Sequence, residues 1–149
     1  MTEPVMISLA GGIAEVTLSR PEKLNAMSRL LIKSLTATIV NVSGDDTLRC
    51  VVISGAGRAF SAGADVVELK NLTPGNAEQF IRLLHSACQA VRDCPVPVIA
   101  KIDGPCLGGA LELAASCDMR GASERSTFAM PEVQIGIPSV IEAALLPRL

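Results

Sequence analysis

The chain has 149 residues, 49% of them apolar, and 13 Lys and Arg against 15 Asp and Glu leave a net charge of −2. That is one domain's worth, enough to bury roughly 70% of the surface an unfolded chain exposes. Aromatics are only 2%, with no Trp and no Tyr, so neither a stacking platform for single-stranded nucleic acid nor a basic surface for a phosphate backbone is available.

High apolar content at low net charge also argues against intrinsic disorder. No apolar run approaches the ~20 residues of a membrane-spanning helix. Met1 to Leu9 carries no cationic stretch followed by a long apolar one, so no signal peptide is expected. The five cysteines, Cys50, Cys88, Cys94, Cys106 and Cys117, are odd in number, scattered, and accompanied by a single His. They predict buried free thiols in a reducing compartment, and no Cys/His metal site.

In chain order, Val5 to Leu9 and Ile13 to Leu18 read as strands joined by the Ala10-Gly11-Gly12 turn. Arg20-Pro21-Glu22-Lys23-Leu24-Asn25 breaks the pattern. A helix is expected from about Ser28, with Leu31, Leu35, Ile39 and Val42 on one stripe, ending at Gly44-Asp45-Asp46. Cys50 to Ser54 reads as a buried strand, followed by the small-residue stretch Gly55 to Asp65 with almost nothing to pack. A second helix is expected from Thr73-Pro74, an N-cap and first-position pair, with Phe80, Leu83, Leu84, Ala87 and Val91 buried.

Val96 to Ile102 is the next strand. It enters Gly104-Pro105-Cys106-Leu107-Gly108-Gly109 and then a helix from about Ala110 to Ser116. Met119 starts a further short segment, and Ser126 to Ala129 reads as one more strand. The order β-β-α-β-α-β-α-β predicts an α/β domain with helices packed on a sheet.

The chemistry concentrates in two glycine-rich turns. Gly108-Gly109 opens a helix, where backbone N–H groups and the helix dipole suit a negative oxygen. A second N–H from Ala62-Gly63-Ala64 would complete a two-donor oxyanion hole. Either turn alone reads more readily as a simple connection. No phosphate-loop or dinucleotide-binding glycine pattern is present. Two carboxylates sharpen the case: Glu112 in the apolar stretch Ala110 to Ala115, and Glu132 after Pro131. Placed in one apolar pocket, they would have their pKa values pushed apart, allowing one acid and one base. Taken singly, Glu112 reads as a charge favouring the helix dipole or facing solvent, and Glu132 as a loop-surface charge. His85 reads as solvent-facing or structurally satisfied, and Cys106 and Cys117 as space-filling.

Together these residues resemble the crotonase family, the enoyl-CoA hydratase/isomerase superfamily. Four segments match in order: Arg20-Pro21-Glu22-Lys23-Leu24-Asn25-Ala26; Ala59-Phe60-Ser61-Ala62-Gly63-Ala64-Asp65-Val66; Gly104 to Leu113 with Cys117-Asp118; and Phe128-Ala129-Met130-Pro131-Glu132-Val133 with Gly136-Ile137-Pro138. The resemblance implies an α/β fold, a crotonase-like (ClpP/crotonase) repeated ββα spiral. It implies that residues 1–149 form the N-terminal core domain without the C-terminal trimerisation helices of full members. Ala64 and Gly109 would be the oxyanion donors, and bulky substitution at Gly109 should be unexpectedly harmful. Glu112 and Glu132 would be the catalytic pair. Ala62, Gly63, Ala64, Asp65, Val66 and Gly109 would contact the CoA thioester.

The implied reaction is hydration of the 2,3 double bond of an enoyl-CoA, with double-bond isomerisation or non-catalytic thioester binding as alternatives. The implied cofactor set is empty, with no metal, because CoA arrives as part of the acyl-CoA thioester substrate. No nucleic acid or membrane partner is implied, and the family assembles as homotrimers or hexamers. Family members usually read Gly-x-Pro-Gly and a glycine-rich stretch where this chain has Gly136-Ile137-Pro138-Ser139-Val140-Ile141-Glu142, which bears on acyl preference and on Glu142. A cytoplasmic location is expected. The peroxisome is the alternative, because Pro147-Arg148-Leu149 faintly resembles a Ser-Lys-Leu tripeptide.

Overall fold

A computed structural model describes residues 3–135 and 143–148. Gly136-Ile137-Pro138, Ser139 to Glu142 and Leu149 lie outside them.

The first two strands, β1 (Val5–Ala10) and β2 (Ile13–Leu18), form an antiparallel hairpin in which Ala10 pairs Ile13 across Gly11-Gly12. A 3₁₀ turn at Pro21–Lys23 leads to helix α1 (Arg29–Val42), N-capped by the Ser28 hydroxyl accepting from the Leu31 N–H. Strand β3 (Cys50–Gly55) adds parallel to β2, then β4 (Val98–Ile102) and β6 (Met119–Ala122) follow, giving the order β1-β2-β3-β4-β6. Parallel neighbours need crossovers. Helix α1 makes the first, and helices α2 (Val66–Lys70) and α3 (Ala77–Arg92) lie in the second.

Strand period decides which face the helices cover. Ala14, Val16, Leu18, Val51, Ile53, Val98, Ala100 and Ile102 are buried, in one cluster with Leu31, Leu35 and Ile39 of α1 and Phe80, Leu84 and Val91 of α3. Helix α4 (Gly109–Ser116) joins the cluster through Ala110, Leu113 and Ala114. The alternate residues face away. Val52 pairs Ile99, which pairs Met119, across a face that carries a depression of about 580 Å³. None of the candidate site residues lines that depression. Strand β1 is an edge, with Met6, Ile7 and Leu9 about half exposed.

Three expectations change. The second long helix starts at Ala77 rather than Thr73, because residues 73–76 close a turn in which the Asn76 side chain accepts the Thr73 N–H. The short helix α2 stands where the sequence offered only five residues and no periodicity. And the stretch from Gly55 to Asp65 is not idle: Ala59, Phe60, Ser61 and Asp65 are all buried. The thiols are all free, but only Cys88, Cys106 and Cys117 are buried, while Cys50 and Cys94 are half-buried.

Candidate active site

A second, two-stranded sheet builds the site. Strand β5 (Pro105–Leu107) runs parallel to β7 (Thr127–Ala129), and an isolated parallel bridge joins Ser61 to Cys106 on the other side of β5. Three segments therefore run the same way and leave at the same end. Each leads directly into a predicted site segment: Ser61 into Ala62 to Val66, β5 into Gly108 to Glu112, and β7 into Met130 to Glu132. Carboxyl ends of parallel strands are where an α/β architecture places ligands.

The first turn is stitched to the segment 20–27. The Ala62 N–H donates to Leu24 O (2.9 Å), Met27 N–H to Gly63 O (2.8 Å), and Asp65 N–H to Met27 O (3.3 Å). Because Gly63 and Asp65 both bond toward Met27, the Ala64 N–H between them points the opposite way. Asn25, fully buried and at φ 54°, anchors the arrangement. Its amide donates to Ala56 O and Ala59 O, both at 2.8 Å, and its Oδ1 accepts the Arg20 N–H at 2.9 Å. The Arg20 guanidinium donates to Ala26 O and to Asp65 (2.9 Å). Asp65 also caps α2 by accepting from the Val67 N–H. Burial by itself would raise the Asp65 carboxyl. The Arg20 hydrogen bond, the Val67 N–H and the Arg20 charge outweigh it and hold the group below the ordinary carboxylate value.

The second turn meets the first directly. Gly63 sits at φ +85°, and a Cβ there would lie 2.6 Å from Leu107 O and 3.7 Å from the Gly108 Cα. The Gly108 N–H donates to Ala129 O (2.8 Å), which seals β5 to β7. Gly108 then takes φ 53°, ψ −126°, a region that rejects L side chains. This kink turns the next N–H, that of Gly109, into the helix start. Gly108 O accepts from Leu111 and Glu112 N–H, so the Gly109 N–H is among those a helix leaves unpaired at its first turn.

The Glu132 carboxylate and the Glu112 amide both meet Gly108. Glu132, half-buried in the 3₁₀ segment Pro131–Ile135, has its Oε2 2.9 Å from where a Gly108 Cβ would stand. Glu112 is one helical turn beyond Gly108 and 2% exposed, which overturns the solvent-facing reading. Glu112 and Glu132 each have a polar or electrostatic interaction partner.

Of the remaining predicted residues, Ala62 and Gly109 are half-buried, and Val66 is 61% exposed at the start of α2. A Cβ on Gly109 would meet Leu84 at an ordinary 3.8 Å, so the crowded glycine is Gly108. Glu142 lies outside the described residues. His85 is exposed on α3. Burial pushes the Cys106 and Cys117 thiols up to about 12, as space-filling side chains rather than nucleophiles. No group of three or more His, Cys, Asp or Glu among the described residues is arranged to hold a metal ion. Sequence reasoning missed Ser61 and Asn25 as parts of the site. The available signal was two polar residues inside segments whose neighbours are small or apolar.

Comparison with known proteins fits this geometry. Residues 8–149 match the family model described as enoyl-CoA hydratase/isomerase. The short-chain-enoyl-CoA hydratase of Clostridium acetobutylicum is 36% identical over 134 residues, covering 89% of this chain and 51% of that protein. The mitochondrial Delta(3,5)-Delta(2,4)-dienoyl-CoA isomerase of Rattus norvegicus is 35% identical over 148 residues, covering 92% of this chain and 45% of that one. The crystal structure of enoyl-CoA hydratase from Thermoplasma volcanium superposes with a TM-score of 0.93 at 38% identity, over 99% of this chain and 60% of that one. The chain thus spans about half the length of the curated relatives it matches. Within that span it has the α/β, ββα-like core of the crotonase superfamily.

Proposed function

Because this chain belongs to the enoyl-CoA hydratase/isomerase family, we propose that it binds an enoyl-CoA thioester and adds water across the 2,3 double bond. The thioester oxygen sits between the N–H groups of Ala64 and Gly109. Glu112 and Glu132 hold a water between them, and one carboxylate takes its proton as the water oxygen bonds to Cβ. The π electrons move toward the carbonyl, and the enolate charge on the thioester oxygen is met by the two N–H donors. A proton delivered to Cα then gives the 3-hydroxyacyl-CoA. Ala62, Gly63, Asp65 and Val66 belong to the turn that carries the first donor. Asp65 does so through Arg20 and the α2 cap rather than through the ligand.

The observation that carries the reading is the convergence on Gly108. The Glu132 carboxylate, the Glu112 amide and the turn of Gly63 all meet there. The test follows the loss of the conjugated enoyl-thioester absorbance. Glu112→Gln and Glu132→Gln should each slow turnover by roughly 10²–10⁴-fold, the usual weight of positioned acid/base groups. Unchanged rates in both variants would falsify the mechanism. A second reading, double-bond isomerisation on the same thioesters, is favoured by the similarity to the dienoyl-CoA isomerase. Product identity separates the two, since only hydration yields a 3-hydroxyacyl-CoA.

A further inference from the structure

We propose that Ser61 is a positioning residue that sets the separation between the Ala64 and Gly109 N–H groups, an inference that rests on the reading of those groups as the thioester-oxygen donors. Ser61 is fully buried, so it acts through its neighbours rather than on a ligand. Its main chain is bonded to β5: Ser61 N–H donates to Pro105 O and Leu107 N–H donates to Ser61 O, both at 3.0 Å. Its side chain is bonded to the other turn: Oγ donates to Asn25 O (2.8 Å) and accepts from Gly63 N–H (3.2 Å). One residue thus grips the strand that delivers Gly109 and the turn that delivers Ala64.

The grip has a rigid footing. The Asn25 side chain is itself held by Arg20, Ala56 and Ala59. Removing the hydroxyl leaves the buried Gly63 N–H and one bond to Asn25 O unmade, which the turn relieves by shifting. The backbone bonds from Ala62 to Leu24 and from Met27 to Gly63 remain. The response is therefore a displaced Ala64 peptide rather than an unfolded chain. A displaced donor weakens the hold on a charged oxygen more than on a neutral carbonyl, so turnover suffers before binding does.

The test uses the full chain and cinnamoyl-CoA, a conjugated thioester whose absorbance moves to the red when its carbonyl oxygen accepts strong hydrogen bonds. The wild-type chain should produce that shift. Ser61→Ala should lose most of it, and on a short-chain enoyl-CoA should lose about tenfold or more in kcat with KM changed less than about threefold. Ser61→Cys, close in size with a weaker donor, should fall between. A shift and a kcat equal to wild type in Ser61→Ala overturn the proposal. Should Ser61→Ala fail to fold, Ser61→Cys decides on the same two readouts. A wild-type chain that binds cinnamoyl-CoA with no shift, or does not bind it, rejects the donor reading itself, and Ser61's role falls with it.

Discussion

The two turns of the site present the same chemical group, a backbone N–H, but are not held alike. The turn from Ala62 to Asp65 shares with the other a tightly fitted glycine, Gly63, and backbone bonds, and adds a side-chain network: Asn25, Ser61 and the Arg20–Asp65 ion pair. The turn from Gly108 to Glu112 is held by conformation. Gly108 takes a backbone angle closed to other residues, and the Glu132 carboxylate occupies the space a side chain would need. A polar network can be weakened gradually, by pH or by removing one partner. A steric fit responds only to added bulk.

The sharpest break of this comparison is Gly108→Ala. The new methyl would meet Glu132 at 2.9 Å at a φ of 53°. Turnover should drop on the order of 10²-fold, the scale of an ångström's misplacement of reacting groups. Steady-state kinetics on a short-chain enoyl-CoA check this, and wild-type turnover would show that the second turn is not held by shape.

The middle effect belongs to the network. Asp65→Ala removes a helix cap and one half of a partly exposed ion pair, together about 2 kcal/mol at neutral pH. The folded-state pKa of Asp65 is lowered, so its contribution is complete above the unfolded carboxylate value of about 4 and fades as pH falls through the folded one. Denaturant unfolding at neutral and acid pH should show the gap between variant and wild type closing on acidification. A gap that widens in acid would contradict the network account. The smallest effect is Gly109→Ala, next to the most sensitive position. Its Cβ meets Leu84 at 3.8 Å, so the thermal unfolding midpoint should correspond to a change within about 0.5 kcal/mol.

The main sheet was readable because its longer strands run five or six residues and its helices carry apolar stripes. Leu31, Leu35 and Ile39, and Phe80, Leu84 and Val91, are buried as their spacing required. The second sheet was only partly visible. Strands β5 and β7 have three residues each, and the Ser61 bridge is a single pairing, so alternation has no length over which to register. That pairing brings residues 61–65, 108–112 and 130–132 to one end. Without it, convergence of the two turns came from family resemblance rather than from pattern. Glu112 illustrates the same limit: its neighbours show an apolar helix, but only packing shows that the carboxylate faces inward. Asp65 follows the same limit: its place in the turn is legible, but the bonds of its oxygens to Arg20 and to the α2 cap are not.

Backbone donors also have a bearing on inherited variation. If the N–H groups of Ala64 and Gly109 supply the hole, every amino acid except proline retains the donor. Substitution at either position can alter shape while leaving the chemical group in place. The two positions are nonetheless unequal in the genetic code. An alanine codon becomes a proline codon by a single base change, and a glycine codon requires more than one. The turn that depends on its side-chain network is therefore also the one whose donor a point mutation can erase.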